Sequence, residues 1–339
     1  MTFDGAAYAG ATAHHRAFDH DALRGLSLTP GMRVLDLGCG VGDLTSGIAS
    51  AVDAGGPRGG WVLGVDASES CTRLASARRS PGLAFVTARA QDVGRLLPSD
   101  VLDAVISVAA LHWVPRDDQP VVLAGIVDLL RPGGVLRAEL GGEGQIAHVR
   151  GLLAPLAREA GAPECPWFFP SALEVGRLVV GAGLVVDMVR TSRQRRSMPD
   201  ADTITRWLVS QVVPAYLAHL QARDHESFVA EAVRRCRAAT RRDDGSHDQD
   251  YVRVQVLAAK RPRDLAGAVS SPPADFLVVA DALLSTVRRL DASRVTDERK
   301  ALLSGRFHRA AASARTSPAA ALESLGALYD ELCDLGDGA

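Results

Sequence analysis

The chain has 339 residues, of which 47% are hydrophobic, enough for one large domain or for a domain of about 250 residues with an appendage. A formal net charge of -2 excludes an overall basic field for nucleic acid and an acidic solvating tail. The five cysteines (Cys39, Cys71, Cys165, Cys236 and Cys333) are scattered and form no CxxC pair, against a disulfide framework or a zinc site.

The opening "MTFDGAAYAG" has neither the positive flank nor the apolar core of a signal peptide, and no apolar run of about 18 residues follows. A cytoplasmic protein without membrane or nucleic-acid partners and without a bound metal is expected. Next, "HHRAFDHDALRGL" reads as an ordinary solvated helix, or as one that closes over a ligand and brings Tyr8, His14 and His15 to its site. Strands are expected at "RVLDLG" (33–38), "WVLGVD" (61–66), "LAFVTA" (83–88), "LDAVISV" (102–108) and "GVLRAEL" (134–140), with helices between them at 43–53, 69–79 and 119–130. Strands separated by helices pair in parallel with right-handed crossovers, so the fold class is α/β, a doubly wound sheet covered on both faces. In such sheets ligands bind beyond the carboxyl ends of the strands, where the strand order reverses.

Further on, "PSALEVGRLVVGAGL" (170–184) reads as a helix stopped by glycine and "LVVDMVR" (184–190) as a strand. The run "RTSRQRR" (190–196) is expected to be a solvated loop, with anion binding as the other reading. A helical insertion, about 199–247, separates this strand from "DYVRVQVLAAKR" (250–261) and would cap the ligand edge. Residues 262–274, rich in Pro, Ser and Gly, form a linker to a C-terminal helical extension over 275–339, a candidate homodimer or partner contact.

The glycine turn "RVLDLGCGVGDL" (33–44) carries the strongest chemical signal. Asp43 occupies the third glycine place of the dinucleotide fingerprint, and no lysine stands between 33 and 60 for a Walker loop. What remains is D-x-G-x-G-x-G, in which Asp36 would repel phosphate and favour a ligand with cationic groups such as S-adenosylmethionine. Asp66, ending "LGVDAS", is suited to accept both ribose hydroxyls, and Gln91 or Asp92 in "ARAQDV" an adenine amino group.

With "VLDLGCGVG", "VLGVDAS", "VISVAALHWVP", "LLRPGGVLRAELGGEGQ", "FFPSALEV" and "DYVRVQVLAAKR", residues 1–261 resemble the class I S-adenosylmethionine-dependent methyltransferases. The finer likeness is to the small-molecule branch that includes the trans-aconitate and malonyl-carrier-protein methyltransferases. The resemblance implies a Rossmann-like, seven-stranded sheet and a cytoplasmic, biosynthetic enzyme that methylates oxygen of a carboxylate or hydroxyl on a small molecule. By resemblance Asp36, Gly38, Cys39, Gly40 and Gly42 line the methionine and ribose end, Asp66 and Ala67 the ribose, Ala90, Gln91 and Asp92 the adenine, with Ser107 beside them. Arg89 stands where this group commonly has an acid. The alternatives are an S-adenosylmethionine-dependent reaction other than methylation, such as cyclisation, or a non-catalytic cofactor-binding partner protein.

The methyl acceptor should approach from beyond the fourth strand, because in-line displacement depends on proximity and orientation. There "SVAALHWVP" places His112 as a base or hydrogen-bond donor, or as a residue that merely caps backbone. Substrate-binding positions are assigned to Tyr8, His15, Trp113, Gly142 of "GGEGQ" and Trp167 of "CPWFFP", with Trp207 and Tyr216 as apolar walls.

Overall fold

The structure, a computed structural model, describes Gly5 and residues 23–261. Tyr8, His14, His15, the linker and the C-terminal extension lie outside the described residues. Seven strands form one sheet in the order β3-β2-β1-β4-β5-β7-β6. They are β1 (Arg33–Leu37), β2 (Trp61–Asp66), β3 (Leu83–Thr87), β4 (Leu102–Val108), β5 (Leu130–Gly141), β6 (Leu184–Met198) and β7 (His247–Lys260). β1 to β5 pair in parallel, whereas β7 runs antiparallel between β5 and β6. The chain builds outward from β1 to β3, then restarts on the other side of β1 with β4. The cleft between the carboxyl ends of β1 and β4 is therefore the switch point.

β1 shows why this sheet needs cover on both faces. Val34 packs in one wholly buried apolar cluster, with Ile48 and Ala49 of α1 (Asp43–Ala51) and Ala75 of α2 (Glu69–Ala75). Leu35 and Leu37 pack in another, with Val122 and Ile126 of α3 (Gln119–Leu129). Alternate residues point to opposite faces, so a strand buried at four successive positions, Val34 to Leu37, must lie between two helical layers.

A helix absent from the sequence-based expectation, α4 (Ala147–Glu159), follows β5. Gly151 and Pro155 within it hide its periodicity. α5 (Ala172–Gly181) returns the chain to the sheet, with the Ser171 hydroxyl accepting from the Glu174 N–H as its N-cap.

β6 continues through "RTSRQRR", which corrects the expected loop. β7 pairs with it from Leu184 to Met198, and the polar side chains alternate between faces. Between these two strands lie α6 (Ala201–Trp207), a π-helical turn (Leu208–Val212), α7 (Val213–Leu217) and α8 (His225–Thr240). Pro214 accounts for the wide turn: its ring crowds the carbonyl four residues back and it has no N–H to donate. The inserted helices pack on α4 through a core of their own, including Val149, Leu153, Trp207, Tyr216, Phe228 and Cys236.

No helix among the described residues is long and apolar enough to cross a membrane.

Candidate active site

Two cavities share a wall at the end of β4. The larger, of about 330 Å³, lies at the switch point and is lined by Gly38, Gly40, Asp66, Ala67, Ser68, Ala90 and Gln91, with Ala109, Ala110 and Trp113 at its far side. That volume suits a nucleoside-sized ligand. Asp66 ends β2 with one carboxylate oxygen accepting from the Gly40 N–H at 2.9 Å and the other from the Ser68 N–H at 2.8 Å. Each oxygen keeps a second lone pair for a ribose hydroxyl. Burial holds this carboxyl above its usual range, partly offset by the same two backbone donors.

Gln91 donates its Nε2–H to Asp118 at 2.8 Å, which leaves Oε1 as the acceptor suited to an adenine amino group. Gly38 has φ +83°, and a Cβ there would sit 2.1 Å from that of Ala110, so only glycine lets the turn approach β4.

Five residues expected to hold the cofactor do not line this cavity. Asp36 is 2% exposed and accepts the Thr45 hydroxyl at 2.6 Å, tying β1 to α1 behind the glycine turn. Its field still reaches the turn: burial, then Asp36 and Asp66, push the Cys39 thiol up and keep it neutral. Cys39 itself packs in the core beside Phe85. Gly42, at φ +84°, is held against Phe85, which a Cβ would meet at 2.9 Å, so it serves packing. Ser107 donates to the Leu37 carbonyl at 2.8 Å and joins β4 to β1. Asp92 lies outside the cavity beside Arg89 and Arg95, at 3.7 and 3.6 Å.

The second cavity, about 50 Å³, is lined by Ala109, His112, Trp113, Gln145, Ile146, Trp167, Phe169, Trp207, Gln211, Tyr251 and Arg253. It gathers three expected residues, His112, Trp113 and Trp167, from separate parts of the chain. Gly142 is not among them; its N–H donates to the Val252 carbonyl and a Cβ would meet Val254. Tyr216 packs edge-on behind Trp167 at 5.4 Å, outside the lining.

The "LHW" segment is a 3-10 turn (Leu111–Trp113) ended by the extended Val114 before Pro115. Gln119 donates to the carbonyls of Leu111 and Val114, and Phe168 N–H donates to the His112 carbonyl, which seats Trp167 and Phe169 over the turn. His112 is 6% exposed, and its Nδ1 accepts from the Gly141 N–H at 3.1 Å. Nδ1 thus carries no proton, and the neutral ring presents Nε2–H, a donor. Gln145 spends Oε1 on the Val252 N–H at 2.7 Å, which leaves its NH2 to donate.

Two backbone positions that sequence reasoning missed are Ala109 (φ +56°) and Ile146 (φ +44°), both on the wall of this cavity. Left-handed geometry costs such residues about 1–3 kcal/mol and is held only by its surroundings. At Ala109 the Glu139 carbonyl, accepting its N–H at 2.8 Å, helps hold it.

Arg253 of β7 lines the cavity, and Arg196 of β6 stands behind that lining. Arg253 and Arg196, 6% and 8% exposed, both lie against the Tyr251 ring, at 5.1 and 4.1 Å from its centre. Glu139 stands 3.8 Å from Arg253 Nε and accepts from Gln255 at 2.6 Å. Burial lowers the Arg196 guanidinium to about 10, with Arg253 adding repulsion against the opposing pull of Tyr251 and Glu139. The signal for these residues was present as period-two polar side chains at the end of each strand.

A methyltransferase domain family matches residues 34–134. A methyltransferase of Schizosaccharomyces pombe, C70.08c, itself uncharacterized, is 29% identical over 249 residues, 71% of this chain and 91% of its own. A trans-aconitate 2-methyltransferase of Rhizobium leguminosarum bv. trifolii is 30% identical over 256 residues, 71% of this chain and 92% of its own. The YcgJ protein of Bacillus subtilis superposes with a TM-score of 0.49 at 15% identity, over 73% of this chain and 99% of that one. The chain belongs to the class I S-adenosylmethionine-dependent methyltransferases and is an enzyme of that family acting on a small molecule.

Proposed function

We propose that the enzyme methylates a carboxylate oxygen of a small organic acid to give a methyl ester. One observation carries this reading: among the described residues, the smaller cavity offers hydrogen-bond donors and no Asp or Glu as a general base. His112 carries its proton on Nε2, Gln145 offers its NH2, and Arg253 its guanidinium. A hydroxyl or ammonium acceptor must lose a proton during reaction, whereas a carboxylate is already nucleophilic at neutral pH. The relatives named for methylating trans-aconitate, a carboxylate, support the same class of acceptor.

Asp66, Gln91 and the turn at Gly38 and Gly40 would hold the cofactor, with its reacting end toward Ala109 and Trp113, where the two cavities meet. One carbon–sulfur bond of S-adenosylmethionine is exchanged for a carbon–oxygen bond to the acceptor, with the electron pair left on sulfur and no proton released. The donors orient the carboxylate, and the aromatic walls exclude the water that would otherwise solvate it.

The test is a weakly buffered reaction followed for S-adenosylhomocysteine and pH together, with mild alkali applied to the product. Ester formation predicts no acidification and methanol released by alkali. One proton per turnover with an alkali-stable product would mean a hydroxyl or amine acceptor and end this reading.

A further inference from the structure

The two cavities meet at a tryptophan. We propose that Trp113 binds the positively charged sulfonium of S-adenosylmethionine through the face of its ring, and so separates the charged cofactor from its neutral product, S-adenosylhomocysteine. The proposal rests on the cofactor placement above and holds for any acceptor.

Among the described residues, Ala109 and Trp113 alone line both cavities. In-line transfer requires the sulfonium at that junction, because its methyl group must face the acceptor. Ala109 offers backbone and a methyl group there, Trp113 an aromatic ring. That ring is held in advance of any ligand. The Trp113 backbone N–H donates to the Ala110 carbonyl at 2.9 Å, and the indole meets His112 at 5.7 Å and, edge-on, Trp167 at 5.8 Å. A side chain already fixed loses little freedom when a cation arrives.

Charge points to the same residue. Asp66 is the one acid lining either cavity among the described residues, and it ends β2, two strand spacings or about 10 Å from β4 with β1 between them. Asp36 stands behind the glycine turn, outside the lining, bonded to Thr45. Across the junction the smaller cavity presents the neutral His112 and the cationic Arg253. A sulfonium entering here gives up hydration with no carboxylate in the adjoining lining to replace it. The negative face of an indole, the best aromatic partner for a cation, offsets part of that loss. Methyl transfer takes the charge from sulfur. The product therefore lacks the contact, which favours its release over that of the cofactor.

The experiment is calorimetry of the full chain without acceptor, using S-adenosylmethionine, S-adenosylhomocysteine and sinefungin, an analogue with an amine beside the place of the sulfonium. Trp113→Leu keeps apolar bulk and loses the ring face. It should weaken the two cationic ligands about 5- to 30-fold relative to S-adenosylhomocysteine, and Trp113→Phe should do so by a smaller factor. Wild-type affinity ratios in folded Trp113→Leu would overturn the proposal; if that variant does not fold, the same comparison on Trp113→Phe decides. Asp66→Ala acts on the ribose that all three ligands share and should weaken all three. No effect of Asp66→Ala on any of them would remove the cofactor placement and this proposal together, whereas an effect of Asp66→Ala with unchanged ratios in the Trp113 variants would remove this proposal alone.

Discussion

The Gly141 N–H donates to His112 Nδ1 across 3.1 Å, joining the turn after β4 to the end of β5 through an imidazole. That bond decides the tautomer of a residue whose role the sequence leaves open. The neutral ring carries its proton on Nε2, and Nδ1, which accepts from Gly141, has no lone pair left for taking a proton from a substrate.

His112→Gln should therefore keep a large part of the activity, since an amide NH2 can replace the imidazole donor. His112→Ala should lower kcat/KM by about 10- to 100-fold. Neither variant should remove an ascending limb from the kcat profile between about pH 6 and 9, because a reaction without a base has none. A wild-type limb abolished by His112→Gln would restore the base.

Cofactor affinity should fall on the acid side, and Asp66 gives the sign. Burial raises its carboxyl above the usual range in the empty protein. Ribose hydroxyls donate to the ionised form, so binding lowers that value again, and affinity is lost as pH falls through the raised value. Calorimetry with S-adenosylhomocysteine should show this loss, and Asp66→Ala should flatten it. The substitution should also cost about 1.5–3 kcal/mol of binding at neutral pH, roughly 10- to 150-fold.

Gly38 and Gly42 separate ligand geometry from packing. Gly38→Ala brings a Cβ to 2.1 Å from Ala110 on the cavity wall, whereas Gly42→Ala presses on Phe85 in the core. Both should lower Tm, by an amount equivalent to about 1–3 kcal/mol for a strained positive φ. In the folded fraction only Gly38→Ala should also weaken S-adenosylhomocysteine, which calorimetry on the two variants would show.

Arg196 should trade stability for substrate binding. Its folded value, about 10, lies below the ordinary guanidinium value, so the folded state binds protons less readily than the unfolded one. Stability then rises as pH climbs above about 10, and at neutral pH the buried charge is a cost. Arg196→Met should raise Tm at pH 7 in the absence of ligand and raise KM for the acid acceptor. Paired thermal melts and kinetics measure both; a fall in Tm with unchanged KM would assign Arg196 to structure alone.

Much of the sheet is legible locally. β2 and β4 appear in the sequence as mainly apolar runs without a regular polar alternation, because a strand buried on both faces has no polar side to show. The turn after β1 and the acid ending β2 are readable for a related reason: glycine spacing and a strand-end carboxylate are chemical requirements within a few residues of each other. Asp36 lies in the same motif, yet which face it takes depends on the pairing of β1 and the seat of Thr45 on α1.

The acceptor side was decided elsewhere. "RTSRQRR" has the composition of a loop and becomes strand because β7, some sixty residues later, pairs along its whole length. Only that pairing sets Arg196 and Arg253 against one tyrosine ring and brings β7 beside Gly141 and Gln145. By itself the sequence determined an α/β sheet, parallel over its first five strands, with a glycine turn and a strand-end acid at its switch point, since both follow from short-range patterns. The tertiary structure decided the proton on His112, the charges beside the smaller cavity and the backbone of Ala109, because each depends on a partner brought from a distant part of the chain.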